Sequence, residues 1–217
     1  MAITLSTGVT ISIASTYSST APITALSNAS PAVATVDNDP QVFTIGDYVE
    51  VSSGWDLLDK RVCRVSAQNA TTITLENVDT SNTTSYPVAT GTGTVRKITA
   101  FTQMTQVKSI SSSGGTQNFA DITSLADRTE RKVPTTRAAI DMTLDVYDDP
   151  TLSWYAAVET ADEARTPYGL LMSFPNGSKL AGNAYWSLMR VPTITQNEAL
   201  MTQVTLSYAA EPVRYST

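Results

Sequence analysis

The sequence predicts a mainly antiparallel β fold with a single helix, on three observations. Several runs alternate apolar and polar side chains with period two, which places one face on a core and one in solvent. An Asn-Gly pair separates two of those runs as a hairpin turn does. Apolar residues make up 41% of the chain and charged ones 16%, a balance suited to a packed core rather than to disorder. A length of 217 residues suits one domain, or one domain with a sizeable insertion.

The elements follow in order. Val9, Ile11 and Ile13 share one face of a short first strand. Residues 20–97 form a separate β-rich block, with strands near 43–51, 61–67, 71–77 and 93–98. Gly46-Asp47, Gly54, Asn69-Ala70 and the stretch from Asn77 to Asn82 supply its turns, and the block is expected to close as a small barrel. Cys63 has the parity of Val65, which gives it a small buried apolar role. Residues 111–137 lack strong alternation and carry Asp121, Asp127, Arg128, Glu130, Arg131, Lys132 and Arg137; they read as a long charged loop. Ile140, Met142, Leu144 and Val146 then occupy one face of a strand, with Asp141, Thr143 and Asp145 on the other.

A helix is expected over about 150–163. Asp149 is its N-cap and Pro150 its first residue, Leu152, Tyr155, Ala156 and Val158 follow at helical spacing, and Thr166-Pro167 closes it after Arg165. Its Leu152/Tyr155 stripe is expected to pack on one sheet, and the Trp154/Tyr155 pair reads as core rather than as a cofactor-lining cluster. Tyr168, Leu170, Met172 and Phe174 form the next strand, Pro175-Asn176-Gly177 turns it, and the return runs through Ala184, Trp186 and Leu188. In the last strand Leu200, Val204, Leu206 and Tyr208 alternate with Met201, Gln203, Thr205 and Ser207. The sum is a sandwich or partial barrel carrying one helix.

Composition excludes several function classes. Histidine is absent and Cys63 is the only cysteine, so no Ser-His-Asp or Cys-His catalytic pair, zinc finger, haem-histidine site or disulfide framework exists in the sequence. Fourteen Lys+Arg against twenty Asp+Glu leave a net charge of −6, and nucleic-acid binding ordinarily needs a basic face. No apolar run approaches the ~20 residues of a membrane span. The first residues, MAITLSTGVTISIAS, lack the basic and apolar regions expected of a signal peptide.

The small motifs are weak. Gly91-Thr-Gly93 is too short for a dinucleotide loop and fits a strand-entry turn. Asp37-Asn38-Asp39 and Asp148-Asp149 present carboxylates without the spacing of a calcium loop. Asp141 and Asp145 share one strand face, as a catalytic acid pair must, but polar-out alternation accounts for them equally. No catalytic, cofactor-binding or metal-ligating residue is therefore assigned.

From Ala139 to about Pro212 the order of features resembles the tail tube proteins (major tail proteins) of long-tailed, lambda-like bacteriophages. The segment TLSWYAAVETADEARTPYGLLMSFPNGSKLAGNAYWSLMRVPTITQNEALMTQVTLSYAAEP carries a short helix, an acidic turn, an F-P-N-G hairpin, an aromatic strand, a polar turn with Glu198 and a long final strand. Upstream, AFTQMTQVKSISSSGGTQNF resembles the family's strand before its long charged loop, and GVTISIAS its first strand. Residues 1–16 and 98–212 are covered in this way. The order carries the resemblance, since F-P-N-G alone is only a hairpin. Residues 20–97 have no counterpart in the lambda-type pattern, and the sequence stops near Thr217 without the C-terminal immunoglobulin-like domain found there.

The resemblance implies a core of 1–19 and 98–217, an inserted module at 20–97 facing outward or between rings, and an assembly loop at 111–137. It implies a structural subunit, not an enzyme, that needs no cofactor. Such subunits form rings, usually hexameric, whose sheets join into a continuous inner barrel, and the rings stack into a tube that conducts DNA during ejection. The implied partners are other copies of the chain and further tail proteins such as the tape measure, tail tip and terminator, in the virion after assembly in the host cytoplasm. DNA passes without specific binding, and no membrane is involved. Six chains at −6 each would give a ring −36 formal charges, and an acidic lumen repels phosphate. Arg128, Arg131 and Lys132 are then candidates for contact with a neighbouring subunit, and Asp141 and Asp145 for lining the lumen. Two other readings remain: a virion or surface β-sandwich module that binds a receptor or glycan, and a carboxylate-based hydrolase, which needs two converging acids that the sequence does not supply.

Overall fold

Alternation of buried and exposed positions organises the chain into fifteen strands and one helix in the computed structural model, which describes residues 7–37 and 43–216. Asn38 and Asp39 of the acidic turn, and the first part of segment 1–19, lie outside the described residues. The first half contains β1 (Thr10–Tyr17), β2 (Ala21–Leu26), β3 (Ala32–Val36), β4 (Tyr48–Ser53), β5 (Arg61–Gln68), β6 (Thr72–Leu75) and β7 (Gly93–Met104). After it come β8 (Val107–Gly114), β9 (Gln117–Asp121), β10 (Lys132–Arg137), β11 (Ile140–Tyr147) and α1 (Ser153–Ala164). The last strands are β12 (Tyr168–Ser173), β13 (Lys179–Leu188), β14 (Met201–Tyr208) and β15 (Val213–Tyr215).

Strands β2-β3-β6-β5-β4-β7 form a closed six-stranded barrel, because β2 pairs with β7 as well as with β3. Closure leaves none of these strands with a free ladder along the barrel wall. Small side chains from β3 (Ala32, Ala34) face larger ones from β6 (Ile73, Leu75), all within 1% of complete burial. One end of the barrel is plugged by Trp55. Its indole N–H donates to the Pro87 carbonyl oxygen (2.8 Å) and to Thr90 Oγ1 (3.0 Å), and its ring meets Tyr86 edge-on at 5.2 Å. Gly91 lies flat against this indole, where any Cβ would come within 2.7 Å of the ring, so glycine is required there for close approach rather than for a phosphate loop. Cys63 is fully buried inside the barrel, and burial pushes its thiol up to about 12.

Apart from β9 and β10, the remaining strands build, with β7, an open sheet in the order β7-β1-β12-β13-β14-β11-β8, with β15 added along part of β13. α1 covers one face of this sheet. It packs Trp154, Val158 and Ala161 against it, together with Leu144, Leu170, Trp186, Val204 and Leu206. Strand β7 belongs to both bodies. Gly93–Lys97 pairs with β4 in the barrel, and Ile98–Met104 pairs with β1 in the sheet.

A third apolar cluster joins barrel to sheet. Tyr48, Val62, Ile98, Ala181, Val213 and Tyr215 are buried there together. The Arg64 N–H donates to the Tyr215 hydroxyl (2.8 Å), the Arg64 guanidinium lies over the Tyr215 ring (4.7 Å), and Asn183 donates to the Lys60 carbonyl (3.0 Å). On the other side of the joint Glu50 holds Arg96 at 3.0 Å, Arg96 stacks over Tyr17 at 4.0 Å, and the Tyr17 hydroxyl accepts from the Gly169 N–H (2.8 Å).

Desolvation raises the phenols of Tyr17 and Tyr215 well above the ordinary tyrosine value, and that of Tyr208 to about 12. A raised folded-state pKa gives stability that is complete below the unfolded value, about 10, and is lost as pH rises toward the folded one. Unfolding free energies should therefore hold steady up to about pH 8.5, fall through the buried Cys63 thiol from there, and fall more steeply above about pH 10 as the tyrosines join it, by at most about 1.4 kcal/mol per pH unit for each group. A midpoint that stays flat to about pH 11.5 would contradict the burial of these hydroxyls.

Several boundaries differ from the sequence reading. The strand expected near 43–51 begins only at Tyr48, because Thr44–Asp47 forms a turn in which the Thr44 N–H donates to Asp47 Oδ2 (2.7 Å) and Gly46 has φ 92°. The strand near 93–98 continues to Met104, where β1 takes over as its partner. The helix starts at Ser153, not Pro150, with Leu152 as an N-cap that makes no side-chain bond. Asp149 instead accepts from the Thr151 N–H (3.1 Å) and hydroxyl (2.6 Å), holding a turn ahead of the helix. Arg165 ends α1 as a left-handed C-cap, φ 51°. The buried stripe is Trp154/Val158/Ala161, rotated from the expected Leu152/Tyr155, which lie at its partly buried margin. At the F-P-N-G turn only Gly177 has positive φ, 82°, in the three-residue hairpin loop that uses one left-handed glycine.

Candidate functional site

Three surface features stand out, all on or beside the open sheet. The first is its pair of edges. Among the described residues, β7 beyond Lys97 is paired on one side only, by β1, and β8 is paired only by β11. The two edges follow one another in sequence through the turn at Thr105-Gln106 but do not pair. A cleft of about 600 Å³ lies there, lined by Ile11, Met104, Val107 and Ile110 among others. Unpaired N–H and C=O rows of this kind are templates for another strand.

The second is the face of the sheet opposite α1. Register places Asp141 between Ser113 and Ser207, Thr143 between Ser111 and Thr205, and Asp145 between Ser109 and Gln203. Asp145 accepts from the Ser109 hydroxyl (2.6 Å) and from Gln203 Nε2 (3.3 Å). Hydroxyls and carboxylates therefore line this face across β8, β11 and β14. Lys108 stands at one end of it, 3.6 Å from Met201 Sδ. Alternation put Asp141 and Asp145 together on a polar face, and they occupy one here. Of the polar rows on either side, that of β14 showed in its alternation, whereas that of β8 comes from a strand whose own sequence shows none.

The third is the segment 111–137. It is not an irregular loop: β8 continues to Gly114, and β9 and β10 pair with each other as a separate two-stranded arm. Its strands escaped the alternation test because both of their faces are exposed, so nothing selects an apolar side. Gly114 and Gly115 at its root have φ 84° and 71° and turn the chain out of the sheet. Arg128 is exposed near the tip. Arg131 reaches Asp127 at 3.9 Å and Lys132 reaches Glu130 at 3.8 Å, exposed pairs that bind these cations weakly. The three candidate cations therefore gather on one protruding arm, away from Asp141 and Asp145 on the sheet. Among the described residues no group of acidic or cysteine side chains is arranged to hold a metal ion.

Residues missed by the sequence reading include the exposed apolar side chains of the arm, Phe119, Ile122, Leu125 and Val133, and those of the segment before β14, Met189, Val191 and Ile194. The apolar letters in NFADITSL were the available signal.

Comparison with known proteins gives one family. A model described as phage tail tube protein matches residues 53–217, from the end of β4 onward. No curated protein sequence matches the chain. Among solved structures, a chain from the anti-feeding prophage baseplate, solved by cryo-EM with six-fold symmetrisation, shares 8% identity over 55% of this chain and 86% of that one, with a TM-score of 0.40. A chain from the tube-terminating cap of the same prophage shares 20% identity over 53% and 83%, with a TM-score of 0.37. Scores this low carry no weight for fold or function.

Proposed function

The chain belongs to the phage tail tube protein family, a family of structural components of the virion tail, and from that premise we propose that it self-assembles into stacked, hexameric rings forming a conduit for DNA. The observation that supports this reading is the open sheet, two of whose edges are unpaired among the described residues. The edge of β8 on one subunit pairs with the free Ile98–Met104 edge of β7 on the next, and repetition around a ring closes the sheet into a barrel. The subunit is not an enzyme: its work is done by backbone pairing and by the charge of a surface. Its partners are other copies of itself and further tail proteins such as the tape measure, tail tip and terminator, in the virion after assembly in the host cytoplasm. The barrel built from residues 20–97 is an inserted module on the outside of the tube or between rings, carried by a core of 1–19 and 98–217.

Negative-stain microscopy of the concentrated protein tests this directly. Tubes or rings are expected, and monomers that persist at every concentration would overturn it.

In this arrangement the face bearing Asp141 and Asp145 lines the channel. Carboxylates and hydroxyls cannot replace the cations condensed on the phosphates, so DNA slides without being retained. Replacing both with lysine should leave tubes intact and slow ejection, because neither side chain is in the core. Normal ejection from virions carrying the double variant would place this face elsewhere.

The arm's cations make the contact between subunits. Arg131→Glu should slow assembly, and more in low salt than in high, since exposed charges steer encounters only while unscreened. An assembly rate that ignores the reversal at every ionic strength would remove Arg131 from the contact.

A further inference from the structure

Two clefts of about 400 and 460 Å³ meet at Asn77, where the loop between β6 and β7 of the barrel faces the Phe174–Ser178 turn and β15 of the sheet. Their polar groups are held in place by the chain itself. Asn77 has φ 56° and donates through Nδ2 to the Arg214 carbonyl (3.1 Å), which leaves its Oδ1 as an acceptor. Asp79 Oδ1 accepts from the Ser81 N–H (2.9 Å), and hydrogen bonding to Ser81 holds the carboxyl below the usual carboxylate range, so Oδ2 remains a charged acceptor. Asn176 Oδ1 accepts from the Ser178 hydroxyl (2.7 Å) and N–H (3.1 Å), which leaves its Nδ2 as a donor. The Arg214 guanidinium lies on the Phe174 ring at 4.6 Å and donates to Ser178 Oγ (3.3 Å). Among the described residues no carboxylate pairs with Arg214, whereas Glu76 in the same groove is taken by Arg64.

We propose that this groove binds an acid-bearing oligosaccharide, with a uronate carboxylate on Arg214 and the hydroxyls of an adjoining sugar between Asn77 and Asp79. Each sugar hydroxyl both donates and accepts, and the groove offers both kinds of partner: oxygens on Asn77 and Asp79, N–H groups on Asn176 and Arg214. The guanidinium fork matches one planar carboxylate. An inorganic phosphate would use the donors alone and meet the charge of Asp79, in a chain whose net charge is already −6. An apolar peptide side chain finds no open apolar floor, because Arg214 covers Phe174 and Tyr215 is fully buried. Both clefts have the size of small-molecule sites. The groove lies within one chain, so binding does not require assembly. On a barrel carried outside the tube it recurs with every subunit, and weak single-site affinity is multiplied along the tail.

Titration of the full-length protein with hexasaccharides of polygalacturonate and of hyaluronan tests this, read by calorimetry and by the side-chain amide NMR signals of Asn77 and Asn176. At least one acidic sugar should shift those signals, and maltohexaose, which lacks the acid, should bind about tenfold more weakly. Asn77→Gly, which tolerates the positive φ, and Asp79→Ala should each weaken the acidic sugar about tenfold. Arg214→Gln should abolish the preference for the acid while leaving maltohexaose binding as it was, a split that a merely structural role would not produce. Arg128→Gln, on the distant arm, should change nothing. No shift with any of the saccharides would overturn the proposal, as would equal binding of acidic and neutral sugars by the wild type. Inorganic phosphate shifting the same signals as strongly would reduce the site to an anion site and overturn it too. So would Arg128→Gln weakening binding as much as Arg214→Gln. None of these results touches the tube reading, and a protein that binds the acidic sugar yet never forms rings overturns that reading alone.

Discussion

Trp55→Ala should lower stability by about 3–5 kcal/mol, the range for emptying a buried aromatic site. The indole is 1% exposed, plugs one end of the barrel and satisfies its N–H on Pro87 and Thr90, so its removal leaves a cavity and two acceptors without their donor. The readout is built into the chain. Of its three tryptophans the other two, Trp154 and Trp186, lie in the sheet's core, so their fluorescence follows the sheet while the substitution acts in the barrel. Because β7 runs through both bodies, the sheet's midpoint in denaturant should fall with the barrel's. An unchanged midpoint for Trp154 and Trp186 fluorescence would show that the two bodies unfold independently.

Tyr215→Ala should cost about 3 kcal/mol or more, and Tyr215→Phe only about 1–2 kcal/mol. The ring is fully buried, edge-on to Tyr48 at 6.2 Å and beneath the Arg64 guanidinium, while its hydroxyl supplies the acceptor for the Arg64 N–H. Phenylalanine keeps the packing and strands one donor; alanine loses both and opens the joint. Hydrogen exchange should rise at residues 61–65 and 179–183 in the alanine variant, where barrel and β13 face each other. Equal stability of the two variants would mean that the ring contributes little beyond its hydrogen bond.

Legibility in the sequence tracked one-sided burial. β11 and β14 each have one face on α1's core and a more open polar one, and their alternation showed in the letters. β12 alternated too, although Gly169 and Leu171 on its second face meet the barrel joint. β13 did not alternate through Ala181–Ala184, because both of its faces are covered there, one by the core and one by the barrel joint. β9 and β10 failed the same test for the opposite reason, having both faces open. The strands β2, β3 and β15 were missed: Pro22 lies inside β2, Pro31 stands just ahead of β3, and β15 has only three residues. Asp149 was legible as a side chain that bonds nearby backbone, but the sequence did not say that Thr151 would take that bond. Of the candidate site, the cations and acids were visible as charge, whereas the paired sheet edges and the two-sided arm depend on contacts between distant residues.

The sharing of β7 sets an order of events during synthesis. Every strand of the barrel lies before residue 98, so it can close while residues 140–215, which supply β11 to β15, are still being added. Ile98–Met104 is by then available to β1, and the ladder of that pair offers a template for β12. The long-range pairing of β1 with β12, across more than 150 residues of chain, is thereby turned into a short search against a surface already in place, lowering the loop-closure cost that ordinarily slows such topologies. The barrel is in this sense a chaperone in cis for the sheet.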